Sequence, residues 1–410
     1  MKIKKILFIT LLIINLFQMI FVILKDKSIN KNLVDTENFC LYLNFNSEAE
    51  GELKENIENQ LNDIDFNKLN NLIDNLSSQG KGLIEKNNFL SLVKNFIYGE
   101  NTNLYQNIFS VFINDIFEDI LFFLPYFSLI IAISLVYSMI GHFSSDKNKS
   151  ISNLINIVCF IAIASIVLKL LLDIIASVSS VITNIEIQTE VIFPVLLTLI
   201  NALGGVVTAT TFQPLLATLS VGITKLFTLV LMPIFISSII FGIVGNISKN
   251  VKLEKFSKFF TSLFTWIIGI VFTIFIAFLT IQGLTVSSVD SISLKTAKFA
   301  IKSYVPILGS YLSDGVGLIL ASSVLIKNAI GATGLILIFA TILFPIIKII
   351  ILILLFKLSS AILESISDEK VSNFLFNISK SLNMLSVCIL AVGFMFLISI
   401  SLLMGCSNIV

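Results

Sequence analysis

The chain contains no arginine: all 27 of its basic residues are lysine. Histidine is nearly absent too, with His142 the single example in 410 residues. The four cysteines, Cys40, Cys159, Cys388 and Cys406, form no C-x-x-C pair. A zinc or iron–sulfur site therefore lacks candidate ligands, and neither a metal nor a cofactor is expected. Cys159 and Cys388 lie in apolar runs, where a thiol packs as a small hydrophobe. Leu403-Met404-Gly405-Cys406 has the form of a lipobox but stands at the wrong end of the chain, and reads as chance. Charge of either sign is short: 13% of residues are charged, against roughly 25% in soluble domains. A net charge of +1 implies no nucleic acid or other polyanionic partner. Catalytic templates are missing as well: there is no H-E-x-x-H, no Walker loop and no G-x-S-x-G. Nothing in these absences points to an enzyme.

What is abundant is apolar surface. Hydrophobic residues make up 56% of the chain, and the mean hydropathy is +0.97. That surplus exceeds what one water-soluble core can hide, so it must face lipid. The expected class is all-α: a polytopic integral membrane helical bundle with broken or re-entrant segments and a small helical extracytoplasmic N-terminal domain.

Lys2, Lys4 and Lys5 precede an apolar run from Ile6 to Leu24, the layout of an export signal. No A-x-A site follows, so residues 1–24 are a signal peptide or an uncleaved signal anchor. Residues 25–120 are the only long polar stretch, with eight lysines against sixteen acidic residues, a formal charge of −8. Within it Leu53, Ile57, Leu61 and Ile64, then Leu69, Leu72, Ile73 and Leu76, recur at helical spacing. A turn is predicted at Gly80-Lys81-Gly82, then helices through Leu90–Ile97 and from Leu104 into the next apolar run. Two compatible readings fit this segment: a small helical domain packing on itself, and an interaction surface outside the cytoplasm.

Residues 121–410 form the membrane domain. The runs 121–141, 151–178, 259–284, 329–356 and 382–404 are each long enough to span, given about 20 residues per crossing. Residues 191–245 are nearly all apolar but broken by Pro194, Gly204-Gly205, Pro214, Lys225 and Pro233. Residues 303–327 are broken by Pro306, Gly309, Asp314, Gly315 and Gly317. About seven or eight membrane segments result. Lysine placement orients them. Lys147 and Lys149, and then Lys249, Lys252, Lys255 and Lys258, mark inside loops. Asn184 to Glu190, acidic and without lysine, is predicted as an outside loop. Residues 191–245 then cross an odd number of times: three short crossings, or one crossing with a re-entrant hairpin at Gly204-Gly205 or Pro214. Irregular backbone at that depth must be shielded or line a cavity, which makes this region the candidate functional element.

Ionisable groups in a span are costly. Lys169 and Asp173 share a helix face, as a neutralising pair near the outer end or as an ion or proton relay. Lys225 snorkels from a helix end or lines a wet cavity. Lys348, flanked by Ile346, Ile347, Ile349 and Ile350, is too central to snorkel easily. Asp314 either caps a helix that begins after a break or contacts substrate or ion. Asp173 and Asp314 stand in no recognisable motif of an intramembrane aspartyl protease. Gly205 with Ala209, Ser313 with Gly317, and Ala329 with Thr333 have the small-xxx-small spacing of close helix contacts. The candidate structural or pore-lining set is Pro194, Gly204, Gly205, Pro214, Asp314, Gly315 and Lys348.

Three stretches carry a resemblance. The first is Phe193-Pro194-Val195-Leu196-Leu197-Thr198-Leu199, running on through Ala202-Leu203-Gly204-Gly205 to Phe212-Gln213-Pro214. The second is Ser303-Tyr304-Val305-Pro306-Ile307-Leu308-Gly309, with Leu312-Ser313-Asp314-Gly315 and Leu325-Ile326-Lys327-Asn328-Ala329-Ile330-Gly331. The third is Phe344-Pro345-Ile346-Ile347-Lys348-Ile349, leading to Ser359 and Ala361. With the signal-like start and polar exported segment, the chain resembles the stage III sporulation protein AE family of spore-forming Firmicutes. The resemblance implies a component of the channel complex between mother cell and forespore, seated in the mother-cell membrane that surrounds the forespore. It implies as partners other membrane proteins of the same operon and a forespore membrane protein across the intermembrane space, besides membrane lipid. It implies no catalytic residues. A homo-oligomer is compatible with it. The competing expectation is a stand-alone secondary transporter, in which discontinuous helices 191–214 and 303–331 would form a midplane site with Asp314 and Lys348.

Overall fold

The structure is a computed structural model that describes residues 47–74, 76, 88–99, 104–143, 149–247, 254–304, 309–366 and 369–406. The segment 1–24, the Gly80-Lys81-Gly82 turn and Pro306 lie outside the described residues. All regular structure among the described residues is helical.

Three short helices, α1 (Ser47–Asn62), α2 (Phe66–Asp74) and α3 (Phe89–Tyr98), come first. Their periodic apolar residues turn inward as spaced: Leu53, Ile57, Leu61, Leu69, Val93 and Ile97 are all buried. Lys94 on α3 donates to both carboxylate oxygens of Glu58 on α1, at 2.9 Å each. The Tyr98 hydroxyl adds a longer bond of 3.3 Å to the same carboxylate. The Lys94 bond holds the Glu58 carboxyl below its ordinary value of 4.5. Burial, helped by the Glu58 charge, pushes Tyr98 up to about 12. With a depressed folded value, the Glu58 contribution is present above the ordinary carboxylate range and lost as pH falls through the folded value.

The long helices follow: α4 (Leu104–Phe143), α5 (Lys149–Ala202), α6 (Val206–Leu226), α7 (Met232–Ile247), α8 (Glu254–Tyr304), α9 (Gly309–Ile366) and α10 (Glu369–Gly405). A π turn, Phe227–Leu231, joins α6 to α7, so the two form one rod. Its cause is local. Pro233 has no N–H, and its ring crowds the carbonyl four residues back; the wider turn, with Met232 N–H reaching Phe227 O, relieves that crowding. Pro125, Pro194, Pro214 and Pro345 also sit inside helices. Among the described residues six helices are long and apolar enough to cross a membrane, counting α6–α7 as one.

These six run alternately up and down. Phe127 of α4 packs on Phe356 of α9, Phe160 of α5 on Phe374 of α10, and Phe235 of α7 on Phe264 of α8. Hydroxyl pairs bind neighbours within the apolar environment: Ser238 with Thr261 at 2.9 Å, and Ser360 with Ser372 at 3.0 Å. The centre is α9. Its residues from Ser322 to Ile349 are buried or half-buried on every side, as expected of a helix that is apolar all round. It packs on α10, α5, α4 and α8, and at its upper part on α1 and α3.

Two sequence expectations change here. Asn184 to Glu190 is not a loop: α5 runs through it unbroken. Its polar side chains find partners inside the bundle, with Gln188 Nε2 donating to Thr341 Oγ1 at 2.7 Å and Thr189 bonded to Ser220 at 2.9 Å. Of the two arrangements expected for 191–245, three short crossings are not what forms; the chain reverses once, at Gly204-Gly205. The first part of this span ends α5, and the rest, after one turn, is the α6–α7 rod.

Candidate functional site

The α5–α6 turn is the one sharp reversal among the described residues of the apolar block. Gly204 sits there at φ 82°, in the left-handed region. Gly204 N–H donates to Asn201 O and Gly205 N–H to Ile200 O, both at 2.9 Å. This is the Schellman pattern that satisfies the last carbonyls of a helix. Gly205 then leads into α6, its carbonyl accepting from Ala209 N–H at 2.9 Å. Pro194 and Pro214 lie on exposed faces of the two arms of this hairpin. Thr198 and Thr218 return a hydroxyl to their carbonyls at 2.8 and 2.7 Å. A side chain at Gly204 meets the Cβ penalty of the left-handed region, so Gly204→Ala should cost about 1–2 kcal/mol. Gly204→Asn should cost less, because asparagine tolerates that conformation. Thermal unfolding in mild detergent checks the order Gly, Asn, Ala.

The upper bundle is held by buried polar contacts between distant segments. Gln60 of α1 donates to Ser322 Oγ and accepts from Ser323 Oγ of α9, both at 2.8 Å. Lys327 of α9 is fully buried, and its ammonium donates to the carbonyl of Cys406 at the end of α10. Small residues let the helices close: a Cβ on Gly331 would fall on Met404, and one on Gly393 on Ile342.

Lys348 is paired rather than isolated. Its ammonium stands 3.9 Å from Asp119 Oδ1 of α4 and over the rings of Phe122 and Phe123, at 5.5 and 5.8 Å from their centres. Lys169 lies over the Tyr126 ring at 5.5 Å, and Lys169 and Asp173 both face outward from α5. Lys225, in the last turn of α6, is also exposed.

The structure thus gathers Pro194, Gly204, Gly205 and Pro214 into one hairpin and separates the rest. Asp314 and Gly315 fall inside α9, which starts at Gly309. The helical backbone at Asp314 excludes the cap role. Asp314 and Lys348 are 34 residues apart on one unbroken helix, about 50 Å at 1.5 Å per residue, so they do not share a site. Taking the Gln188–Thr341 bond as a register mark, Asp173 lies about 60 Å below Asp314 along the bundle, too far for a dyad. Among the described residues no cluster of His, Cys, Asp or Glu could hold a metal. Sequence reasoning missed Asp119 and the role of Lys327. The available signals were the acidic residues just before the 121–141 run and a lone lysine inside an apolar one.

A bundle of antiparallel apolar helices, stitched by hydroxyl pairs and small-residue seams, defines a polytopic α-helical membrane protein. The chain matches the family model of stage III sporulation protein AE over residues 87–407 and belongs to that family. All three stretches that carry the sequence resemblance fall inside the matched region. A curated relative, stage III sporulation protein AE of Bacillus subtilis (strain 168), is 28% identical over 218 residues. The match covers 53% of this chain and 55% of the relative, so the chain spans about half the length of the relative it matches. No solved structure matches.

Proposed function

We propose that this protein is a membrane subunit of the sporulation-specific, secretion-like channel complex between mother cell and forespore, needed for late forespore development. In this reading it sits in the mother-cell membrane around the forespore. Its partners are membrane proteins of the same operon and a forespore membrane protein across the intermembrane space. Family membership supports the sporulation setting. The observation that carries the subunit reading is the docking of α1–α3 onto upper α9 through Gln60, Ser322 and Ser323. It joins the exported helices to the membrane bundle as one platform on which another subunit can bear. The transporter reading asks for a pair of interrupted helices. In segment 191–214 the helices part at Leu203–Gly205; in 303–331, α8 ends at Tyr304 and α9 is continuous from Gly309 through 331, so Asp314 stands at no break.

The test is a pull-down of tagged full-length protein from membranes of sporulating cells in mild detergent, with mass spectrometry of what co-purifies. Recovery of the other operon products is expected, and Gly204→Val should reduce it by distorting the hairpin. Purification as a lone homo-oligomer across several detergents would overturn the subunit reading. Reconstituted transport sensitive to Lys348 would then become the next assay.

A further inference from the structure

The helices are longer than a membrane is thick. The apolar helical stretch Leu154–Ala202 has 49 residues, about 74 Å at 1.5 Å per residue, whereas a hydrocarbon core is about 30 Å thick. Composition cannot say which part lies in lipid, because both halves are apolar. The exposed faces can. On α5 the outward side chains from Leu154 to Leu172 are mostly large and apolar, among them Val158, Ile161 and Leu168. From Asp173 upward the outward positions change to Ser180, Thr183, Glu190, Thr198 and Asn201. The α6–α7 rod switches in the same way. Thr210, Gln213, Thr218 and Lys225 face outward above, and Leu229, Ile236, Ile240 and Val244 below. On α4 the switch falls between Glu118 and Leu121, and the exposed apolar face continues to Met139.

Three independent helices agree on the thickness of the lower zone. Glu118 to Phe143, Asp173 back to Lys149, and Lys225 to Ile247 are 25, 24 and 22 residues apart. These correspond to roughly 33–38 Å, a hydrocarbon core with its polar margins. The upper margin carries charges beside aromatic rings, Lys348 by Phe122 and Lys169 by Tyr126, as at a membrane–water interface. The lower margin carries lysines at the helix ends: Lys149, Lys255, Lys258 and Lys370. Upper α8 also carries three lysines, Lys295, Lys298 and Lys302, but the first lies 15 residues past Thr280, where the apolar span ends.

Above the upper margin the apolar residues point inward. Ile192, Phe193, Leu196 and Ile200 of α5 are buried with Phe212 and Leu216 of α6. The large apolar side chains exposed there include Phe117, next to the boundary, and Ile187, Val206, Val207 and Ile319, the sparse scatter of a water-facing surface.

We infer that the outer membrane boundary crosses the bundle at Glu118–Asp119, Asp173 and Lys225, and that everything above it stands in water outside the cytoplasm as a helical head. The Gly204–Gly205 turn is then the tip of a hairpin that rises about 30 Å above the boundary along α6 and about 46 Å along α5, not a break within the lipid. The head, with α1–α3 docked on it, is the surface open to partners; the lower belt is the surface for lipid.

Single cysteines in the full chain, expressed in protoplasts, test this with a membrane-impermeant maleimide added outside. The parent chain, with its own cysteines, sets the background. Ser180→Cys, Thr198→Cys and Thr218→Cys should label at least several-fold above parent in intact protoplasts. Val158→Cys, Leu229→Cys and Ile240→Cys should stay at background until detergent is added. Head positions that react only in detergent, or only from the cytoplasmic side in inverted vesicles, would overturn the inference. So would belt positions that label as fast as Thr198→Cys. None of these results depends on the channel partners, so the outcome is separable from that of the pull-down.

Discussion

Replacing Gly393 with leucine should lower the thermal unfolding temperature in mild detergent by several degrees and loosen the α9–α10 seam. That seam is the most extensive helix pairing among the described residues. A Cβ on Gly393 would coincide with the δ-methyl of Ile342, and the next Ile342 carbon would lie 3.1 Å away. Ile342 is itself buried in the core cluster, so its end cannot swing into solvent. Overpacking of this kind costs about 1–3 kcal/mol, and leucine brings three further carbons that need room. The contrast is Gly222→Ala on α6, where nothing lies within 4 Å of a built Cβ. An exposed glycine inside a helix gives up about 1 kcal/mol relative to alanine, so that variant should match or exceed the parent. A Gly393→Leu protein that unfolds at the parent temperature would show that the seam is not closely packed.

Lys327→Glu should be still more damaging, with the order of stability Lys, then Met, then Glu. Lys327 is wholly buried and donates to the Cys406 carbonyl just past the end of α10. The C-terminus of a helix carries partial negative charge on its unsatisfied carbonyls, so an ammonium there is matched in sign. A glutamate would set a carboxylate against that carbonyl and the negative helix end, with no water to screen it. Leaving buried charge uncompensated costs about 3–5 kcal/mol. Methionine keeps much of the volume and loses only the bond, which costs about 1–3 kcal/mol for a carbonyl left unsatisfied. Unfolding temperature and the yield of folded protein from membranes report the order. A glutamate variant as stable as the methionine one would mean that water reaches the site.

Which features were legible follows from what range of contact produced them. The helices of α1–α3 were readable because Leu53, Ile57 and Leu61 alternate at local spacing and are buried as that spacing requires. Gly204-Gly205 was readable as a break, since a glycine pair in an apolar run marks a backbone that other residues cannot follow. Pro214 was not a break at all. Its lost hydrogen bond is absorbed within a helix, and Thr218 returns a hydroxyl to its carbonyl. Asp314 was read as the cap of a helix beginning after a break, or as a contact to substrate or ion; it lies inside α9, which begins five residues earlier. Lys348 was recognised as anomalous, but Asp119 lies 229 positions away and no local pattern links the two. Asn184–Glu190 was misread for a related reason. Gln188 and Thr189 there serve Thr341 and Ser220 across the bundle, contacts that no local pattern shows.

By itself the sequence determined that this is an all-helical membrane protein, because hydropathy and periodicity are properties of neighbouring residues and survive without any tertiary contact. It also carried the family, in proline and glycine placements that apolar bias alone would not produce. Only the tertiary structure decided where the chain reverses, which helices pack together and which way each apolar face turns. An isoleucine buried in a protein core and one facing lipid are alike in composition. They differ only in what stands beside them, and that is settled by residues far away in the chain.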